Sequence, residues 1–426
     1  MTCSEYFRTV AMPEVPAQAS TGPVARGSVA RVGLATVLTA LCGYAVVYLA
    51  ARDLAPAGFS VFAVFWGAFG LVTGAANGLL QETTREVRAT PYTEIAAGGR
   101  TRPLQVAGMV GAGAAVVIAA SSPLWSSQVF TGERWLSVGL LSVGLAGFCV
   151  HTTLLGMLAG ADHWTHYGAL MVADAVIRVG VAVAAFVLGW GLGGYLWATV
   201  AGAVAWLIML AVAPTARAAA RLLTPGGTAT FLRGAAHSIT AAGASAILVM
   251  GFPVLLKATS AELGAAGGVV ILAVTLTRAP LLVPLTAMQG NLIAHFVDAR
   301  TQRLRALIAP ALLVAGIGAV GVPAAALVGP WILRVGFGPA YDAGGVLLAW
   351  LTAAAVTIAM LTLTGAAAVA AALHRAYAVG WVSATVAATA LLLLPLPLET
   401  RTVIALMCGP LVGIGVHLTA LARPAG

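Results

Sequence analysis

An arginine stands in the middle of a run of residues that is apolar enough to cross a membrane. Arg278 is the fourth residue of TLTRAPLLVPL (275–285), and Pro280 and Pro284 follow it on the same predicted helix. An arginine in a bilayer usually faces protein or water, because its desolvation is unfavourable. The prolines kink the helix, and a guanidinium binds phosphate oxygens through two parallel hydrogen bonds. Arg278 is therefore predicted to line a cavity and to bind an anionic cargo; pairing with freed carbonyls or a buried carboxylate is the alternative.

A second pair of charges lies inside another apolar run. Asp174 and Arg178 are four residues apart, so they share one face of a helix. An internal ion pair would make each charge tolerable in a membrane, and this interpretation is favoured. The alternative is an ion-coupling site, in which Asp174 exchanges Arg178 for Na⁺ or H⁺ during transport.

Polar residues close two of the apolar runs at equivalent places. Those expected to line a vestibule at the cytoplasmic mouth and to contact the cargo are Asn77, Gln81, Arg85, Gln289 and Asn291. Helix-end solvation is the plainer explanation for part of this set. The sequence around Arg85 also carries Glu82 and Glu86, which suit ordinary surface pairing.

Three further cations lie near the ends of apolar runs. Arg31, one turn into the first run, either reaches the cavity or extends to the headgroups. Arg52 and Lys257 stand at the outer ends of the first and seventh runs, where they either receive a diphosphate or anchor the side chain at the membrane interface.

His163 and His166 have the spacing of metal ligands, but no third ligand stands nearby in the sequence. No metal and no cofactor are therefore expected.

Composition and charge placement indicate a multi-pass membrane protein. Mean hydropathy is +0.98, and only 8% of the 426 residues are charged, against about 25% in soluble domains. The net charge of +9 reflects arginines beside apolar runs, which indicates membrane topology and not nucleic-acid binding. Loops on the cytoplasmic side of a membrane protein carry an excess of lysine and arginine. With both termini placed in the cytoplasm, the outer loops keep only a few cations: Arg52, Arg134, Lys257, Arg334 and Arg401. Both termini are therefore predicted to be cytoplasmic.

Twelve apolar runs, each long enough to span a bilayer, form two similar halves. The runs fall at about 29–50, 58–80, 103–122, 136–160, 168–189, 195–213, 238–257, 265–293, 307–328, 344–371, 376–394 and 402–422. Gln289 stands 208 residues after Gln81, and the segment PLQVAGMVG (103–111) resembles PALLVAGIG (310–318) at nearly the same offset. The predicted organisation is a disordered tail (1–27), a six-helix half (28–215), a cytoplasmic linker (216–236) and a second six-helix half (237–423). Such repeats pack pseudo-symmetrically around a central cavity.

These features resemble the polysaccharide flippases of the multidrug/oligosaccharidyl-lipid/polysaccharide (MOP) exporter superfamily. The resemblance rests on the two halves, the Arg26-Gly27-Ser28 entry, the turn LAARDLAPAGF (49–59) and the loop FGPAY (337–341). It implies an all-α transporter that moves a polyprenyl-diphosphate-linked glycan from the inner to the outer leaflet by alternating access. The use of arginine in place of lysine suggests a GC-rich bacterial genome, so the expected location is the bacterial plasma membrane. The expected partners of a monomeric protein are the lipid-linked glycan and membrane lipids, with Na⁺ or H⁺ coupling left open.

Two other functions compete with this one. An ion-coupled exporter of small molecules, of the multidrug type, would need acidic residues in its cavity for cationic drugs, and the chain offers buried arginine instead. A membrane glycosyltransferase that uses polyprenyl donors would need a carboxylate cluster and a sizeable outer loop. The outer loops are short, and their acidic residues are widely scattered. The chain is therefore expected not to be an enzyme.

Overall fold

The computed structural model describes residues 26–90, 99–288, 292, 295–297 and 303–423. The first half contains α1 (Arg26–Ala89), β1 (Arg100–Thr101), α2 (Pro103–Val129), α3 (Arg134–Gly160), α4 (Trp164–Leu188), α5 (Gly191–Ala201), α6 (Ala205–Val212) and α7 (Pro214–Ala220). The second half contains β2 (Thr224–Pro225), α8 (Thr228–Val249), α9 (Phe252–Ala258), α10 (Gly264–Ala287), α11 (Arg303–Phe337), α12 (Gly345–Ala370), α13 (His374–Leu392) and α14 (Leu398–Ala422). Helix α1 begins inside the predicted tail (1–27), most of which lies outside the described residues.

Helix α1 is two membrane spans joined at a sharp turn. Its 64 residues would extend about 96 Å if straight, which is about three times the thickness of a hydrocarbon core. The backbone leaves the helical region at Ala55 (φ 53°, ψ 170°), directly before Pro56. Tyr195 contacts both arms, because its hydroxyl donates to the Leu49 carbonyl (3.2 Å) and its ring lies 6.0 Å from that of Phe62. The chain therefore folds back on itself here.

The number of spans agrees with the prediction. Ten stretches of the described chain are long and apolar enough to cross a membrane, with α5 and α6 counted as one. The pair α8–α9, bent by 67°, forms an eleventh, and the second arm of α1 makes twelve. The all-α fold of twelve membrane helices is therefore confirmed.

The two halves repeat a local structure as well as a helix count. After α3, Asp162 has φ 58° and the His163 N–H bonds to the Leu158 carbonyl. After α12, Ala372 has φ 59° and the Leu373 N–H bonds to the Ala368 carbonyl. Both are Schellman-type helix ends, and they lie 210 residues apart. This repeat supports the pseudo-symmetric arrangement, while the exact domain borders stay a prediction.

Glycines bring the halves into close contact along the second arm of α1. Gly67, Gly70, Gly74 and Gly78 all face α8 and α9. A Cβ on Gly74 would lie 2.7 Å from the Ala246 Cβ, and one on Gly78 would overlap the backbone of α8. Small residues allow such close helix approach in membranes. We call this contact the glycine ridge.

The halves also meet at the face opposite the chain ends, which we call the distal face. Burial raises the pKa of the Tyr341 hydroxyl, which therefore stays protonated and donates to the Ala51 carbonyl (2.9 Å). Its ring packs on Phe59, and Phe337 packs on Tyr48. At the opposite, terminal face, the first arm of α1 carries exposed Leu34 and Leu41. The two halves are thus closed at the distal face, while the terminal part of this arm keeps exposed residues.

The glycine ridge yields a stability prediction. Gly78→Ala should destabilise the protein by about 1–3 kcal/mol, because the added methyl group forces α1 and α8 apart. Gly43→Ala is the matched control, since a Cβ there meets nothing within 4 Å and alanine favours a helix by about 0.5–1 kcal/mol. Thermal unfolding of the purified variants in detergent measures both effects. Equal stability of Gly78→Ala and the native protein would show that the ridge is not tightly packed.

Candidate functional site

Arg278 lies where α8 and α9 break the seventh span. Its Nη1 donates to the carbonyl of Val249, the last residue of α8 (3.3 Å). Its guanidinium carbon lies 5.2 Å from the centroid of the Phe252 ring, at the start of α9. A cation at a helix C-terminus interacts favourably with the helix dipole and the unpaired carbonyls. The break therefore provides the local environment that holds this charge.

The sequence explains why the seventh span breaks at this point. The segment Met250-Gly251-Phe252-Pro253 contains a glycine and a proline, which interrupt a helix. The N–H groups of Met250 and Gly251 both bond to the Ala246 carbonyl, so the carbonyls nearer the end of α8 lose their helical partners. Arg278 takes one of these carbonyls.

The guanidinium is buried and only partly satisfied. Arg278 is 8% exposed, and its Nη2 is buried without a hydrogen-bond partner. No carboxylate forms an ion pair with it among the described residues. In this conformation the side chain packs against α8 and Phe252, and the pairing with a freed carbonyl is present. The role of Arg278 in lining a cavity and binding cargo stays a prediction.

Arg278 also faces the first half of the molecule. The phenol of Tyr44, on the first arm of α1, lies within electrostatic range of the guanidinium. The arginine is therefore at the contact between the two halves, where a transporter of this architecture would hold its cargo.

The predicted vestibule residues at the terminal face are only partly brought together. Asn77 accepts a hydrogen bond from Thr152 (3.1 Å), and Gln81 is exposed. The Arg85 guanidinium is two-thirds exposed and bonds to Glu82 (2.6 Å) and Glu86 (2.9 Å), so two carboxylates offset its charge. The other two predicted members, Gln289 and Asn291, lie outside the described residues.

Glu82 is not the ordinary surface residue that the sequence suggested. It is 3% exposed and lies at the terminal end of the glycine ridge. Its Oε2 accepts from Ser238 of the second half (3.4 Å), and a Cβ on Gly234 would overlap its Oε1. The pairing with Arg85 was visible in the sequence, but the burial was not, because it depends on how α8 approaches α1.

The remaining predicted cations differ in their surroundings. Arg31 is exposed, and within the described chain its side chain has no hydrogen-bond or ion-pair partner. Arg52 is also exposed, beside the loop at Gly338. Lys257 is 7% exposed and donates to the Ala261 carbonyl (2.8 Å). It lines a pocket of about 190 Å³ at the distal face, together with Glu262. Arg52 and Lys257 therefore hold similar chain positions but different environments.

Asp174 and Arg178 form a closed ion pair in the first half. Arg178 Nε and Nη2 bond to the two carboxylate oxygens at 3.0 Å each, and Nη1 donates to the Thr199 carbonyl (2.7 Å). The guanidinium also lies 5.4 Å from the Phe69 ring centroid. Gly202 leaves space for the pair, because a Cβ there would overlap Asp174. This geometry favours the internal pair, since both carboxylate oxygens already have partners.

A buried histidine lies beside the Asp174–Arg178 ion pair and was not predicted from the sequence. His151 is 2% exposed, stacks on Phe148 (5.5 Å), and lies within electrostatic range of Asp174 and Arg178. Its Nδ1 is buried without a partner. No spacing signal connects His151 on α3 with Asp174 on α4, so only the packing of the two helices brings them together.

Mycobacterial proteins are similar to this chain over almost its whole length. One is "Uncharacterized protein Mb3654" of Mycobacterium bovis, which is 76% identical over 414 residues, 97% of this chain and 96% of the relative. Another is "Uncharacterized protein Rv1510" of Mycobacterium tuberculosis, which is 76% identical over 417 residues, 98% and 96% of the two chains. No family model matches the chain.

Solved structures of MATE transporters share the fold. The inward-facing conformation of a multidrug resistance MATE family transporter of the MOP superfamily has a TM-score of 0.70 and 16% identity, covering 90% of this chain and 94% of that one. The outward-facing conformation has a TM-score of 0.62 and 16% identity, covering 93% and 96%. At this identity the likeness shows the fold alone. The predicted fold is therefore confirmed, and the relationship to the polysaccharide flippases stays a prediction.

The closed ion pair gives a prediction for Asp174 and Arg178. Asp174→Asn or Arg178→Gln should each destabilise the protein by about 3–5 kcal/mol, because each leaves an unpaired buried charge. The double variant should lose less than the sum of the two. Thermal unfolding and protein yield measure the difference. Three equally stable variants that all lose transport would contradict a purely internal pair and favour ion coupling through Asp174.

Proposed function

We propose that this chain, which belongs to the same family as these mycobacterial proteins and has the MATE fold, is a transporter of a lipid-linked anionic glycan. It would move a polyprenyl-diphosphate-linked sugar from the inner to the outer leaflet of the bacterial plasma membrane by alternating access. In this proposal both termini are cytoplasmic, so the terminal face is the cytoplasmic face. The protein acts as a transporter and not as an enzyme.

The observation that carries the proposal is the unsatisfied guanidinium of Arg278. A charge at this depth is stable only when protein, water or cargo supplies partners. One carbonyl and one aromatic ring supply part of what it needs, and its Nη2 has no acceptor. A diphosphate offers several oxygens in a geometry that matches the guanidinium. Arg278 is therefore assigned to bind the diphosphate when the break between α8 and α9 moves.

Other cations fit a path for the same group across the membrane. Arg31 is exposed at the terminal face, where cargo would enter. Lys257 is buried beside a pocket at the distal face, where cargo would leave. Its ammonium has one acceptor, the Ala261 carbonyl, so further N–H groups are left for an anion. The three cations would serve successive stages of transport.

A multidrug exporter is the competing function, and the names of the structural neighbours favour it. Carriers of cationic drugs need carboxylates that are free to bind them. Asp174 is held by both of its oxygens, and Glu82 is bonded to Arg85. The charges inside the described part of this chain therefore fit an anionic cargo better than a cationic one.

Transport in proteoliposomes tests the proposal directly. The full-length protein is reconstituted with a fluorescent polyprenyl-diphosphate glycan, and its appearance in the other leaflet is followed with a membrane-impermeant quencher. A parallel assay measures uptake of a cationic dye. Transport of the glycan without transport of the dye supports the proposal, whereas the reverse result supports the multidrug function.

Arg278 variants separate cargo binding from folding. Arg278→Lys should slow glycan transport about 10–100-fold, because one charge-assisted hydrogen bond of about 1.5–3 kcal/mol is lost. Arg278→Ala should nearly abolish transport and leave stability almost unchanged, since a buried, partly satisfied charge is removed. Thr275→Val is the control on the same helix: it removes a hydroxyl bonded to the Ile271 carbonyl and should transport normally. Native transport rates for Arg278→Ala would refute the assignment.

A further inference from the structure

An apolar groove lies on the outer surface of the second half. It has a volume of about 410 Å³ and runs between α10 and α11, with α12 as its floor. This volume falls within the range of about 300–1,000 Å³ that is typical of ligand pockets. Ile317 and Ile332 on its α11 side are nearly half exposed, which indicates that the groove opens to the bilayer. We call it the α10–α12 groove.

The walls of the groove present hydrocarbon. Only two of its lining residues, Thr277 and Thr352, carry polar side chains. Each hydroxyl donates to a carbonyl of its own helix, Thr277 to Ala273 and Thr352 to Leu348, both at 2.8 Å. No unpaired donor therefore faces the groove. A site of this chemistry accepts an apolar chain and excludes water and charged headgroups.

The equivalent space in the first half is filled by aromatic rings. Phe65 lies 5.9 Å from Phe130, and Trp125 lies 5.7 Å from Phe130. Phe69 packs on Phe148 at 6.4 Å. Phe65, Phe69 and Phe130 are at most 2% exposed, so these rings are packed among the helices of the first half.

The second half has no aromatic ring at two of the corresponding positions. At the offset of 208 residues that relates Gln81 to Gln289, Phe65 corresponds to Ala273 and Phe69 corresponds to Thr277. Both Ala273 and Thr277 line the groove. At two positions that line the groove, the second half thus carries a smaller side chain where the first half carries phenylalanine.

Helix α11 keeps the groove open from the other side. Gly321, Ala325 and Gly329 follow one another at four-residue intervals along its groove-lining face. A Cβ on Gly329 would lie 2.6 Å from a Leu348 methyl group, so α11 packs tightly on α12 here. The small side chains at these three positions leave space between α11 and α10.

We infer that the α10–α12 groove binds the polyprenyl chain of the lipid-linked cargo while Arg278 binds its diphosphate. This inference rests on the proposed function. Arg278 directly follows Thr277 on α10, so adjacent faces of one helix would hold the two parts of the cargo. A cation beside hydrocarbon walls matches the chemistry of a cargo that joins a diphosphate to an apolar chain.

Photo-crosslinking tests the occupant. The full-length protein in nanodiscs is exposed either to polyprenyl diphosphate or to phosphatidylglycerol, each with a diazirine in its hydrocarbon chain. Mass spectrometry then maps the labelled peptides. The polyprenyl probe should label the peptides that cover 273–281 and 317–333 at least tenfold more than the phosphatidylglycerol probe does. Equal labelling by the two probes would overturn the assignment, because the groove would then be an ordinary lipid-facing surface.

Variants that fill the groove test its role in transport. The double change Ala273→Phe with Thr277→Phe restores the two rings of the first half, and Gly321→Leu fills the groove from α11 in case the double variant does not fold. Both should lower polyprenyl labelling and glycan transport at least tenfold. The matched control is Val320→Phe, which neighbours Gly321 but points to the bilayer, 72% exposed, and lies outside the groove. It should change neither.

The outcomes separate this inference from the proposed function. If the variants with a filled groove transport glycan at the native rate, the groove does not bind the polyprenyl chain, and the proposed function is unaffected. A native protein that labels in the groove but transports no lipid-linked glycan would overturn the proposed function and support the polyprenyl site.

Discussion

The contact between Arg278 and the broken seventh span is the constraint on which the centre of this molecule depends. The guanidinium is enclosed at the meeting of the two halves, where one carbonyl and one aromatic ring hold it and no carboxylate of the described residues pairs with it. The glycine ridge brings α8 close enough to α1 to enclose it, and the Gly251–Pro253 break frees the carbonyl that it needs. Movement at this break would change the partners of Arg278 and the contact between the halves together.

The two halves share one architecture but differ in the partners of their buried arginines. In the first half, Arg178 is satisfied by Asp174 and the Thr199 carbonyl, which leaves that half internally neutral at this depth. In the second half, the guanidinium of Arg278 keeps an unpaired nitrogen. The same asymmetry appears in packing, since aromatic rings fill one half where a groove opens in the other. The proposed sites for an anion and for an apolar chain therefore both lie in the second half.

The sequence predicted the features that depend on composition and local spacing. The twelve apolar runs predicted the membrane spans, and the four-residue interval between Asp174 and Arg178 predicted their ion pair. It did not predict the features that depend on how helices rotate and approach each other. Arg278 is enclosed because the bend in the seventh span points Phe252 at it. Glu82 is buried because Gly234 lets α8 come near, and Lys257 is buried although Arg52, at the equivalent place, is exposed. Helices that are apolar on most faces carry little periodic signal for such rotations.

The decisive measurement is a structure of the protein with a polyprenyl-diphosphate glycan bound. We expect a phosphate oxygen within about 3.2 Å of the Arg278 guanidinium and loss of the contact with the Val249 carbonyl. A bound diphosphate elsewhere, with Arg278 still on Val249 and Phe252, would contradict it.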